Sequence, residues 1–284
     1  MQIIFEFGIM RATYRYLFFM KKLVIIFSLL SLSGCAQSQP AEENSVVESY
    51  SMVMLSEIKD LKKDEPIEII YKISDLKGEA VKNFEVSHEK LMHLIVAKHD
   101  LSEFQHIHPE LDEKSGEFKI AATFDSEGLY RLYSDFQVEG ENYTLFEDLN
   151  IGDLKNYEPK ELALSLENEK IGDYEVAYKI APEIHTGSAI EYKLDVTRDG
   201  LMVEEFEDYL GAKGHSVILR EETLDFIHTH PKDDGLLFET SFDKPGKYRI
   251  FTQFNPGEEL LTSTYTIEVL QGNEETMEME HSVH

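Results

Sequence analysis

Two six-residue stretches hold four of the eleven histidines in the chain: FQHIHP, Phe104 to Pro109, and FIHTHP, Phe226 to Pro231. Residues i and i+2 of a β-strand project from the same face, so His106 with His108, and His228 with His230, each form a two-imidazole chelate. A third histidine stands the same interval before each pair, at His93 and His215. If LMHLIVA and EFQHIHP are the two strands of a hairpin with an even-numbered loop, Ile95 faces His106 and His93 faces His108. Opposed residues have Cβ atoms about 4.5–5.5 Å apart, which closes a triangle of imidazoles. A loop one residue longer or shorter would turn His93 to the other face. Three neutral imidazoles suit Zn(II) or Cu(II), with water or a carboxylate in the remaining position. The candidate metal ligands are therefore His93, His106 and His108 in one set and His215, His228 and His230 in the other, with His99 and Asp100 close to the first. The competing reading makes Phe-x-His-x-His-Pro a strand-ending packing motif whose imidazoles donate to main-chain carbonyls.

The two stretches are parts of a duplication. A constant offset of 122 places Gly78 on Gly200, Phe84 on Phe206, His93 on His215, Phe104 on Phe226 and Pro109 on Pro231. Beyond the proline the second copy is four residues shorter, and GLYRLYSDF (128–136) then matches GKYRIFTQF (246–254). The expected organisation is a repeat at 46–152, a linker at 153–165, a second repeat at 166–270 and an acidic disordered tail at 271–284. Short alternating or wholly apolar runs, such as IEIIYKI, FKIAATF, YRLYSDF and YTIEVL, lie between turn signals such as Arg198-Asp199-Gly200 and Pro245-Gly246. That rhythm predicts an all-β fold of two tandem immunoglobulin-like antiparallel β-sandwiches, with helix confined to single turns near HEKLM and EEFEDYL. Val217, Leu219 and Phe226 share the histidine face, whereas Ser216, Arg220 and Thr229 share the other. The imidazoles are thus expected at one end of each sandwich interior, where Pro109 or Pro231 stops the strand.

Cys35 is the only cysteine. No internal disulfide or cysteine-rich metal site can form, and a blue-copper centre, which needs a thiolate, is excluded from the folded part. Met20-Lys21-Lys22, the apolar run LVIIFSLLSL and Leu32-Ser33-Gly34-Cys35 together resemble a bacterial lipoprotein signal; an ordinary secretory signal is the alternative. The resemblance implies that residues 1–34 are removed from a start at Met20, and that Cys35 carries lipid. Residues 35–45 would then tether the chain to a membrane it does not span. The expected location is the bacterial cell envelope, periplasm-facing or extracellular.

The formal net charge is −28. Residues 1–34 contain four basic residues and one acid, so the remainder is more acidic still. Such a surface repels nucleic acid and gathers cations. Met277, Met279, His281 and His284 in the tail are a weaker candidate for cation capture. No Gly-rich phosphate loop, His-Glu-x-x-His helix or Gly-x-Ser-x-Gly elbow occurs after Cys35, and no general base or substrate pocket is marked, so an enzyme is not expected.

The pattern His93, Phe104, His106, His108, Pro109, Gly128, Tyr130 and Arg131, repeated in the second copy, resembles a group of secreted bacterial proteins and lipoproteins described as heavy-metal-binding. Tyr133 stands where the second copy has Phe251. The resemblance implies envelope copper or heavy-metal handling. The expected function is that of an envelope lipoprotein holding copper or zinc through one three-histidine site per sandwich, for buffering, delivery or sensing. The alternative is a structural module that presents its edges to an envelope protein partner.

Overall fold

The computed structural model describes residues 49–272 except 167, 233, 234 and 258. The signal segment, Cys35, the whole tether and the tail from 273 lie outside the described residues. Among the described residues no helix is long and apolar enough to cross a membrane.

The first repeat contains β1 (Tyr50–Met54), β2 (Ile67–Asp75), β3 (His93–Lys98), β4 (Phe104–Ile107), β5 (Glu110–Asp112), β6 (Glu117–Ala122), β7 (Gly128–Val138) and β8 (Glu141–Ile151). The second contains β9 (Glu169–Ile171), β10 (Tyr174–Ile180), β11 (Ile184–His185), β12 (Ala189–Arg198) and β13 (Leu201–Met202). It continues through β14 (Gly214–Arg220), β15 (Phe226–Thr229), β16 (Leu237–Ser241), β17 (Gly246–Phe254) and β18 (Leu261–Leu270). One 3-10 turn, Leu154–Asn156, lies between the repeats. The fold is all-β, two tandem antiparallel sandwiches. In the first, sheet β1-β2-β6-β5 packs on sheet β4-β3-β7-β8; in the second, β13-β12-β10-β9, with β16 also on β12, packs on β11-β18-β17-β14-β15. Each sandwich has its own core, around Tyr71, Phe118, Phe124 and Phe136 in one and Tyr192, Phe238, Phe242 and Phe254 in the other.

The histidine hairpins have the register that an even loop requires. Ile95 pairs with His106 and Leu94 with Ile107, and Lys98 N donates to Glu103 O at 3.0 Å, which leaves residues 99–102 as a four-residue loop. In the second repeat Val217 pairs with His228, and Arg220 N donates to Asp225 O at 3.1 Å.

The expectation that the histidine face is the sandwich interior is corrected. Leu94 and Val96 point into the first sandwich, whereas Ile95 and Ala97, on the same face as His93, enter a third cluster with Leu101, Tyr133, Val217, Leu219, Leu224 and Phe251. That cluster draws on both repeats. The sheets carrying the histidines therefore pack on each other, and β3 is buried along its whole length. Ser216, which by its polarity belongs on a solvent face, lies inside the second sandwich, accepting from Tyr192 Oη at 2.7 Å and hydrogen-bonded to Thr252 Oγ1 at 3.0 Å.

Aromatic pairs related by the duplication join the two sheets. Phe104 stacks on Phe251 with ring centroids 4.5 Å apart, and Phe226 on Tyr133 at 5.0 Å. Tyr133 also donates its hydroxyl to Leu224 O at 2.7 Å, which satisfies the one polar atom that distinguishes it from Phe251. Each pair adds about 0.5–1.5 kcal/mol to the area it buries. Truncating Phe251 opens the shared core at its centre. Phe251→Ala is expected to cost about 3–5 kcal/mol in urea denaturation. The unfolding of the wild type should be one transition common to both repeats; two transitions in which only the second responds to the substitution would contradict a shared core.

Candidate metal centre

The first triad consists of His93 on β3, His106 on β4 and His108 just past the end of β4. The second consists of His215 on β14, His228 on β15 and His230 just past β15. Within each triad one ring nitrogen per residue lies within 4.8 Å of the others. All six sequence-derived candidates are thus brought together, three by three.

Acceptor-only partners fix the tautomers. His93 Nε2 donates to Ser87 O at 3.0 Å, and His215 Nε2 donates to Tyr209 O at 2.8 Å, which leaves each Nδ1 as a lone pair. His228 Nδ1 donates to the Asp135 carboxylate at 2.8 Å, and His106 Nδ1 donates to Gln253 Oε1 at 2.8 Å. Asp135 and Gln253 occupy matched positions in β7 and β17, and each holds the middle histidine of the other repeat. A carboxylate or amide behind an imidazole is the arrangement that orients metal-bound histidine and raises its basicity.

The remaining nitrogens point at one another. In the first triad His93 Nδ1 lies 2.9 Å from His106 Nε2, and His108 Nε2 lies 3.3 Å from His106 Nε2. Two nitrogens bound to one ion at about 2.0–2.1 Å are about 2.9 Å apart across a right angle and about 3.3 Å across a tetrahedral one. In the second triad His215 Nδ1, His228 Nε2 and His230 Nε2 are buried without a hydrogen-bond partner. Buried polar atoms are rarely left so, because desolvation costs about 1–3 kcal/mol each. A cation shared among them removes that cost.

Burial, reinforced by neighbouring charges, favours the neutral ring, which is the ligating form, at six of these histidines. It lowers His108 to about 4 and His215 to about 3, and holds His88, His93, His106 and His230 below the ordinary histidine value as well.

Three participants escaped the sequence reading. His88 stacks on His230 at 3.7 Å between centroids and lies 5.6 Å from His215. It sits in a tight turn closed by Ser87 and Lys90, with positive φ at both His88 and Glu89. The matching turn in the second repeat has Leu210 and Gly211. These two-residue hairpins replace the helical turns expected there. Asp135 and Gln253 carried no signal beyond being polar at the same place in both copies. His99 and Asp100 do not join the first triad: His99 pairs with Asp148 at 3.1 Å, and Asp100 accepts from Ser102 and Lys160 in the adjoining loop.

The class defined by this geometry is a duplicated β-sandwich protein whose repeats dock through a histidine-lined face that could hold metal. A family model described as Domain of unknown function (DUF8832) matches residues 45–152 and again 169–271, and the chain belongs to that family. No curated protein matches the chain. Among solved structures, a Salmonella alpha-2-macroglobulin mutant aligns at 11% identity and TM-score 0.29 over 78% of this chain and 15% of its own. Escherichia coli alpha-2-macroglobulin activated by porcine elastase aligns at 13% identity and TM-score 0.27, over 79% of this chain and 20% of its own. The chain thus spans a fifth or less of these two chains.

The depressed histidines make the metal-free protein acid-sensitive. Below the ordinary value of 6.5 the unfolded chain takes up protons that the folded rings refuse, so stability present above 6.5 is lost as pH falls toward about 3–4. Urea midpoints of the metal-free protein should fall across this interval, and by less in His108→Asn/His215→Asn. An unchanged slope in that variant would show that carboxylates alone account for the loss.

Proposed function

We propose that this protein is an envelope lipoprotein that binds copper or zinc through its two three-histidine clusters, serving to buffer, deliver or sense the ion rather than to catalyse a reaction. The observation that carries the reading is the second triad, in which three buried, unpartnered nitrogens converge and one of their rings is held from behind by Asp135. The packing alternative fits it poorly, because packing histidines use both nitrogens or expose one. Main-chain carbonyls do occupy one nitrogen of His93 and of His215, but the opposite nitrogen of each is the one turned to its triad. The ligand set is compatible with either metal. The envelope location and the lipid on Cys35 rest on the Leu-Ser-Gly-Cys box after its apolar run.

The chain from Cys35 onward, with Cys35→Ser, should bind two Zn(II) or Cu(II) ions in an equilibrium titration, falling to one in His106→Ala/His108→Ala. Binding that survives loss of both triads and disappears with residues 273–284 would overturn the proposal.

Asp135 acts through His228. Asp135→Leu should weaken the second site by about 10–100-fold. Asp135→Asn, whose amide oxygen still accepts from His228 Nδ1, should recover part of that loss; equal losses in both would reduce Asp135 to a packing role.

A further inference from the structure

The two triads are not separate. Within a triad the ring centroids are 4.6–5.8 Å apart. Between triads they are scarcely farther: His93 to His228 is 5.9 Å, His106 to His215 5.9 Å and His106 to His228 6.0 Å. The sheet-on-sheet packing that buries Phe251 and Tyr133 therefore places two ligand sets against each other across the repeat interface. His106 and His228, the middle residues, are the nearest to both sets, and both have their second nitrogen fixed from the opposite repeat.

Charge decides what such a pair requires. Two divalent ions held by six neutral imidazoles bring four positive charges into a largely buried interface, where like charges repel more strongly than in water. Among the described residues the acidic group in hydrogen-bond contact with a ligand is Asp135, and its Oδ2 is engaged by His228 Nδ1. One carboxylate leaves most of the charge uncompensated. Small solutes can reach the second triad. A pocket of about 320 Å³ bordered by His88, Asp135, Thr144, Phe226, His228 and His230 opens on the second triad.

Resting on the metal-binding reading above, we propose that the six histidines form one dinuclear centre in which two ions share a small bridging anion, hydroxide in water, across the interface between the repeats. Water that bridges two ions gives one proton to solvent and remains as hydroxide; no electron is transferred. Sharing one anion offsets the repulsion that would otherwise make the second ion bind more weakly than the first.

The test is electron paramagnetic resonance of the full folded chain loaded with Cu(II). Two bound ions coupled through a bridge should give an integrated signal well below two spins per chain, or a half-field transition. His106→Ala/His108→Ala and His228→Ala/His230→Ala should each bind one ion and return one full isolated spin. Azide, used as the probe anion, should saturate its copper charge-transfer band at one azide per two ions. Two full, independent spins, one ion in the wild type, or one azide per ion would overturn the dinuclear centre while leaving metal binding intact. A wild-type chain that takes up no copper or zinc would remove the underlying reading as well.

Discussion

The reciprocal hydrogen bonds across the repeat interface govern the rest of this structure. His106 donates to Gln253 and His228 to Asp135, so each triad is completed by a residue of the other repeat. In an isolated sandwich His93 and His215 would keep their main-chain acceptors, but His106 and His228 would lose the partners that fix their tautomers. The constraint explains why the sheets carrying them are apolar on both faces: one face fills a sandwich core, and the other buries Ile95, Ala97, Val217, Leu219 and Phe251 between the sandwiches. Stability and site geometry thus draw on the same surface, and a change that separates the sheets would disperse the histidines.

The parts legible in the sequence were those that depend on period and count. Alternation by two, with an even loop, fixed which side chains share a face, and residues 99–102 and 221–224 satisfy that count. The duplication supplied the second triad. What could not be read was which apolar face is inside. In a strand buried on both sides, side-chain polarity no longer separates core from surface. Ser216 illustrates the failure, since its hydroxyl is satisfied by Tyr192 and Thr252 deep in the second sandwich. His88 was missed because its ring reaches the cluster from a two-residue turn, where no strand periodicity applies.

Some of the differences between the copies fall where they meet. Asp135 faces His228, whereas the matched Gln253 faces His106; His88 occupies a turn position that Leu210 fills in the second copy; Tyr133 replaces Phe251 and gains a bond to Leu224 O. Two of these changes polarise the arrangement in the same sense, because both Asp135 and His88 act on the second triad.

A carboxylate behind an imidazole increases the electron density available to a bound cation more than a neutral amide does. On the proposed reading, the second triad is then the stronger ligand set and fills first. Its charge would oppose loading of the first triad until an anion enters between them. An exact duplicate would offer two equal sites and no order of filling. On that reading the differences at Asp135 and His88, both in contact with the second triad, adjust two neighbouring sites relative to each other.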